Sequence, residues 1–432
     1  MVMVDKLPTA QTPQTDPAQV RRVSTSVAVL FVLNGAAFAS FAARLPDVKS
    51  LLHLTTGQLG LLLLAGSIGS VSGLPLAGWV IGRFGSRVTV RVAALATVTG
   101  YLLATVAITS HLVWLTVIGL LVAGMGIGPW DVAMNLEGTV VERCQQRSIM
   151  PRYHAMFSGG TVLAALIGAG LTAIHVPLWV HLVVVMIAIG TVAIWRAKYF
   201  ETLSDGRKES VENAADSGPA PTGRSAWTDP RVLLIGVVTL IAAFTEGSAN
   251  DWLSLGFVEG HHVPKWAGIL AFATFLTFMT IGRLAGTALL DRYGRVPVLR
   301  VCFSLAIVGC LAVVLGPTPL AYAGVVVWGL GVSLGFPVGM SAAADDPRHA
   351  HARISVISTV AYTAFLAGPP LLGLLGEHVG VLHALFAVGA AATVALALVP
   401  AVREPEGGHH DNTPATSTTT DPALCATPAH PE

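Results

Sequence analysis

The sequence predicts an all-α membrane protein of twelve transmembrane helices, arranged as two parallel six-helix pseudo-repeats. Three observations predict it. The 432-residue chain contains twelve long, continuously apolar runs, each near the roughly 20 residues that a helix needs to cross the hydrocarbon core. Its 25 Lys and Arg residues fall almost entirely in every second gap between those runs. Short motifs of the first half return in the second at nearly one offset.

Composition points the same way. Hydrophobic residues make up 53% and charged residues 11%, about half the charged share usual in soluble domains. Such a chain cannot cover itself with polar surface, so lipid is its solvent. Barrel strands are excluded, because the runs are continuously apolar and barrel strands alternate. A formal net charge of +1 gives no ground for a nucleic-acid partner. Cys144, Cys302, Cys310 and Cys425 lack metal-ligand spacing and are expected as free thiols.

The spans are expected at 24–45, 57–81, 88–109, 112–139, 150–174, 178–196, 231–257, 265–289, 296–315, 320–341, 353–376 and 380–400. Lys and Arg are retained on the cytoplasmic side. In the gaps facing the other side stand only Arg44, Lys49 and Lys265, and Arg283 lies inside span 8. Both termini are therefore expected in the cytoplasm, and the chain in the plasma membrane. Arg21 and Arg22 precede span 1 as in a signal peptide, but eleven further spans favour an uncleaved helix.

The chain divides into a polar N-terminus (1–23), a first half (24–196), a linker (197–230), a second half (231–400) and a tail (401–432). The N-terminus, linker and tail cannot bury an apolar core and are expected to be disordered. His409 and His410 in the tail have no Cys/His cluster beside them and are expected to be solvated. GRFGSR at 82–87 follows span 2, and DRYGRV at 291–296 follows span 8, 209 residues on. Gly124-Met-Gly126 returns as Gly329-Leu-Gly331 after 205 residues, and Asn34-Gly35 as Glu246-Gly247 after 212. An even number of spans per half makes the two repeats parallel.

Two such halves, with GWVIGRFGSR at 78–87 after span 2, resemble the major facilitator superfamily of secondary transporters. The family's acidic residue is replaced by Gly82, but the second copy keeps Asp291, followed by Arg292. The segments NGAAFASFAARLPDVK, DVAMNLEGTVVER, MPRYHAMFSGG, EGSANDWLSL and LGFPVGMSAAADDP are similar to the MosC/YbjJ-like branch. The Gly-Pro pattern of antiporters is absent from span 5, where Gly159, Gly160, Gly168 and Gly170 stand without a proline. The resemblance implies a monomer with spans 1, 4, 7 and 10 around a central cavity. It also implies cytoplasmic loops that latch the halves when the cavity opens outward.

Intramembrane polar residues are costly and face a protein interior or a water-filled path. Span 4 carries Asp131 and Asn135 on one face, and His154 of span 5 lies at similar depth. They read either as a proton or substrate site, or as a structural bond between spans 4 and 5. Glu137, nearer the interface, is expected to be solvated. Span 7 offers Glu246 and Asn250 on one face, with Glu246 the leading coupling carboxylate. Arg44 is expected to pair with Asp251 or Glu246 across the halves as an outer gate. Asn34, Phe38 and Phe41 share a face of span 1 and are cavity candidates with Trp130, Met134, Phe336 and Tyr362. Arg83 and Arg87 are expected to face Asp291, Asp345 and Asp346 at the cytoplasmic end, where Arg292 also lies, whereas Arg91 is expected only to mark the cytoplasmic side. Arg283 is expected to snorkel.

These residues point to a transporter of a small solute working by alternating access with proton coupling, or to an efflux pump. A polytopic receptor or enzyme is the alternative of another class. Against an enzyme, the sequence has no HExxH, and the GVSLG at 331–335 lies inside an apolar span and follows no strand. No Gly-Lys dipeptide occurs, so there is no Walker A, and no cofactor is expected.

Overall fold

The computed structural model describes residues 17–145, 147, 149–200, 224–346 and 349–404, which form helices and turns with no strand. Eleven of these helices are long and apolar enough to span a bilayer. One, Thr56–Thr109, runs 54 residues and breaks at Gly85, with φ 88° and ψ 163°. Its arms are two spans, which makes twelve. We label them α1 (Pro17–Ala42), α2 (56–84), α3 (86–109), α4 (Val113–Gln145), α5 (Met150–Ala173) and α6 (Leu178–Arg196). The second half holds α7 (Pro230–Gly260), α8 (Lys265–Tyr293), α9 (Arg295–Leu315), α10 (Thr318–Ala343), α11 (Ala350–Val379) and α12 (Val381–Val402).

The repeat is visible in the backbone. Gly294, 209 residues after Gly85, joins α8 to α9 with φ 74° and ψ 170°. Only glycine takes this region without steric cost. The close crossings repeat as well. A Cβ on Gly100 would stand 2.3 Å from Ala123 N, and one on Gly309 would stand 2.4 Å from Trp328 N. Gly124 abuts Gly66 and Ser70, as Gly329 abuts Phe275 and Met279. Gly126 abuts Ala93 and Thr97, as Gly331 abuts Cys302 and Ala306. The α2 and α3 positions recur after 209 residues and the α4 positions after 205. The stretch of chain from the α9 crossing to the α10 crossing, helix residues included, is thus four residues shorter than its counterpart. Small residues let backbones touch where lipid offers no hydrophobic drive to pack.

Several boundaries differ from expectation. α1 begins at Pro17, not at 24, because Val20 and Val23 continue the buried stripe of Val27 and Leu30. A short helix, Leu45–Leu51, replaces the end of span 1, with Pro46 in its first turn. α10 is broken between Val332 and Gly335. Pro337 supplies no N–H to the carbonyl of Ser333 four residues back, and its ring crowds that carbonyl. The segments expected to be disordered lie largely outside the described residues, His409 and His410 among them. Within the linker, Arg224–Thr228 is helical. Cys302 and Cys310 are buried free thiols. Cys144 is disulfide-bonded rather than free.

Candidate functional site

A cavity of about 370 Å³ lies between the two halves. The first half contributes Asn34, Phe38 and Phe41 from α1, Ser67 and Ser70 from α2, Tyr101 from α3, and Phe157 and Thr161 from α5. The second half contributes Glu246, Asn250 and Asp251 from α7, Met279 and Arg283 from α8, and Tyr362 and Phe365 from α11. α4 adds Leu120, Gly124 and Ile127, but α10 adds nothing. Of the expected wall of spans 1, 4, 7 and 10, span 10 is absent, and spans 2, 3, 5, 8 and 11 contribute instead. Trp130 and Met134 are fully buried and Phe336 packs on the core. None of the three lines the cavity. The predicted site residues Asp131, Asn135 and His154 do not line it either.

Glu246 accepts from Arg283 Nη2 at 2.9 and 2.8 Å through its two carboxylate oxygens. Arg283 Nε donates to the carbonyl of Ser333 at 3.4 Å, the group that Pro337 leaves free. Arg283 is therefore anchored between α7 and α10 and does not snorkel. Inside the bilayer, each charge offsets the desolvation of the other. Asn34 Nδ2 and Asn250 Oδ1 are buried without a hydrogen-bond partner. Asp251 makes no hydrogen bond or ion pair among the described residues.

The Asp131 group is arranged differently from the expected pair. Asn135 Nδ2 donates to the backbone carbonyl of Asp131 at 2.9 Å. His154 meets the ring of Phe31 edge-on, with centroids 5.3 Å apart, and lies within electrostatic range of Arg283. No hydrogen bond joins His154 to Asp131 among the described residues. Asp131 acts electrostatically on Tyr362 of the opposite half. Glu137 is 4% exposed and is buried rather than solvated.

The cavity is closed at one end by charges that cross between the halves. Lys265 Nζ donates to Asp47 Oδ1 at 2.8 Å. Lys49 Nζ donates to Glu259 Oε1 at 2.6 Å and to Thr56 Oγ1 at 2.9 Å. Arg44 does not reach Asp251 or Glu246, which corrects the expected gate. It is 2% exposed, and its donors go to Asp47 Oδ2 at 3.0 Å, His181 Nδ1 at 3.0 Å and Val176 O at 3.2 Å. Its role is to hold Asp47 for Lys265. Beside these pairs α2 meets α11 backbone to backbone, where a Cβ on Gly60 would lie 2.5 Å from Pro369 O. We call this the far end, and the end bearing most Lys and Arg the basic end.

The family model of the Major Facilitator Superfamily matches residues 27–362 and 267–427. The chain belongs to that superfamily. It is a multi-pass membrane transporter, as its relatives are. It is 30% identical over 391 residues to the "Uncharacterized transporter y4wD" of Sinorhizobium fredii, covering 89% of this chain and 100% of that protein. It is 27% identical over 380 residues to "Membrane protein MosC" of Rhizobium meliloti, covering 87% and 89%. The nucleoside transporter NupG superposes with a TM-score of 0.69 at 14% identity, over 88% of this chain and 98% of that one. The D-xylose-proton symporter superposes with a TM-score of 0.65 at 13% identity, over 88% and 97%.

At the basic end, this member of the superfamily shows no ion pair between the halves among the described residues. Arg83 lies over the Phe84 ring and Arg292 over the Tyr293 ring. Asp291 is exposed, and Arg87 Nη2 donates to Lys198 O at 2.5 Å. Asp345 and Asp346 do not face the first half's arginines. Asp345 is held by Arg295 at 2.7 Å and Arg231 at 3.6 Å, and Asp346 by His349 at 2.8 Å. Sequence reasoning missed Lys49, Glu259, Lys265, Tyr101 and Phe365. For the two lysines the signal was present, since they stand on the side that basic residues avoid.

Proposed function

We propose that the protein is a secondary transporter that moves a small solute through the shared cavity by alternating access, coupled to protons. We place it in the plasma membrane with the basic end and both termini cytoplasmic, the side on which Lys and Arg are retained. One observation carries this reading. The cavity takes its wall from both halves and is closed at the far end by ion pairs joining them. A site at the junction of two rigid halves changes its access when they rock. Partly exposed pairs such as Lys49–Glu259 are worth about 0–1 kcal/mol each, which suits contacts that must break in every cycle.

Asn34 and Asn250 supply unmet hydrogen-bonding atoms for a solute in an otherwise apolar wall, the usual plan of a small-molecule site. Coupling to protons is supported by the carboxylates of Asp131, Glu246 and Asp251 within the spans, and by proton symport in structural neighbours such as the D-xylose-proton symporter. The test is reconstitution into vesicles carrying an internal pH-sensitive dye. At least one solute from a panel of sugars, cyclitols, amino acids and amines is expected to accumulate or to move protons. A panel that moves neither contradicts the reading.

A further inference from the structure

Among the described residues, three charged side chains line the central cavity: Glu246, Asp251 and Arg283. Glu246 and Arg283 neutralise each other at 2.8 Å. Asp251 has no such partner among the described residues, so one carboxylate is left uncancelled. The rest of the wall is rich in rings: Phe38, Phe41, Tyr101, Phe157, Tyr362 and Phe365. Phe41 and Tyr101 stack at 5.2 Å, and Tyr362 and Phe365 lie 6.3 Å apart on the opposite half. Aromatic faces attract cations, most strongly where water is excluded. Asn34, 2% exposed, adds a polar amide whose Nδ2 has no partner.

We infer that this cavity is a cation site: Asp251 and the aromatic walls take a monocationic, partly apolar amine, and a proton and the amine occupy Asp251 in turn. The chemistry follows from charge. An ammonium ion in the bilayer core needs a compensating anion, and among the described residues Asp251 is the only lining carboxylate not already compensated. An anion would meet that same carboxylate, while Arg283 is already engaged. A carboxylate oxygen bearing a proton cannot also neutralise an ammonium. Each cation that binds to protonated Asp251 therefore releases one proton, and the site's charge is unchanged. The inference names the solute class for the transporter proposed above, but binding can be tested without transport.

Benzyltrimethylammonium is a suitable probe, because its charge does not depend on pH. Benzyl alcohol and phenylacetate are its neutral and anionic counterparts. Binding to the purified full-length protein is measured by calorimetry between about pH 5.5 and 8.5. The cation is expected to bind about tenfold or more tightly than either counterpart, a preference on the scale of one desolvated charge contact. Its affinity is expected to rise with pH, by up to about tenfold per unit where Asp251 is protonated. The other titratable lining groups are Glu246, held by Arg283, and the phenols of Tyr101 and Tyr362; free phenols titrate near 10. Toward the far end, Arg44 and Asp47 are bound to each other.

His181, which holds Arg44, and His154, near Arg283, belong to the residue type that titrates in this range. Asp251→Asn keeps both histidines and also Asp131, which acts on the lining Tyr362. It is expected to lower cation affinity about tenfold and to flatten the pH dependence, with Asp251→Glu restoring both. A pH dependence that survives in Asp251→Asn overturns the inference. So does phenylacetate binding as tightly as the cation, or no binding by any of the three probes. Should the Asn variant fail to fold, the wild-type pH profile decides, and a flat profile overturns the inference. Asp251-dependent cation binding without flux in vesicles would sink the transporter reading alone. Flux of other solutes without cation binding would sink only this inference.

Discussion

Asp47 is shared at the far end: one carboxylate oxygen faces Arg44 in its own half and the other faces Lys265 across the seam. Asp47→Asn removes the charge that Lys265 needs but keeps the shape. The pair is worth roughly 0.5–1 kcal/mol, so far-end opening is expected to rise roughly two- to fivefold. The check is the labelling rate of Ser67→Cys in the cavity by a membrane-impermeant thiol reagent from the far side. An unchanged rate would remove Asp47 from the closure. Glu246→Gln leaves the Arg283 charge in the cavity wall without its partner and is expected to cost about 1–3 kcal/mol. Thermal melting reads that loss, and adding Arg283→Leu is expected to recover most of it, because a cation is then no longer left unpaired. The sequence showed which charges were out of place, namely Arg44, Lys49, Lys265 and Arg283. It did not show their partners, because helix packing sets those. Glu246 precedes Arg283 by 37 positions on another helix, and nothing local links them.

Helix contacts decide which end of the cavity is closed. α2 and α11 touch at Gly60, Pro369 and Gly373, whereas Gly78 and Gly82 near the basic end of α2 have no atom within 4 Å of a Cβ position. Gly60→Leu is expected to disfavour the far-closed arrangement by about 1–3 kcal/mol of overpacking, and Gly82→Leu to leave it unchanged. The same Ser67→Cys labelling separates the two, and equal effects would refute a seal at Gly60. Crossings inside a half are a matter of folding rather than gating. Gly126→Val and Gly331→Val are both expected to lower the melting temperature, since each Cβ would meet backbone 2.4 Å away. Spans and repeats were legible at this scale, because lipid demands long apolar helices and close crossings demand glycine at fixed intervals. The break in α10 had a signal in Pro337, but its consequence depended on Arg283 taking the freed carbonyl. The contributions of α2, α3, α5, α8 and α11 to the cavity had none, since a packing face and a cavity face are equally apolar.

Taken as one molecule, the protein is two similar halves joined firmly at the far end and free of cross-half ion pairs at the basic end among the described residues. Alternating access requires the reverse arrangement to be within reach, so the far-end pairs must compete with contacts at the basic end. Arg83, Arg87, Asp291 and Arg292 stand where such contacts would form. The most direct measurement follows both ends by distances between paired spin labels. One pair is Ser50→Cys with His262→Cys at the far end, and the other is Phe84→Cys with Tyr293→Cys at the basic end. In otherwise native protein the far pair is expected to be mainly short and the basic pair mainly long. Adding Asp47→Asn is expected to move population to a longer far distance and a shorter basic distance together. A single distance at each end, unmoved by Asp47→Asn, would contradict alternating access through this cavity.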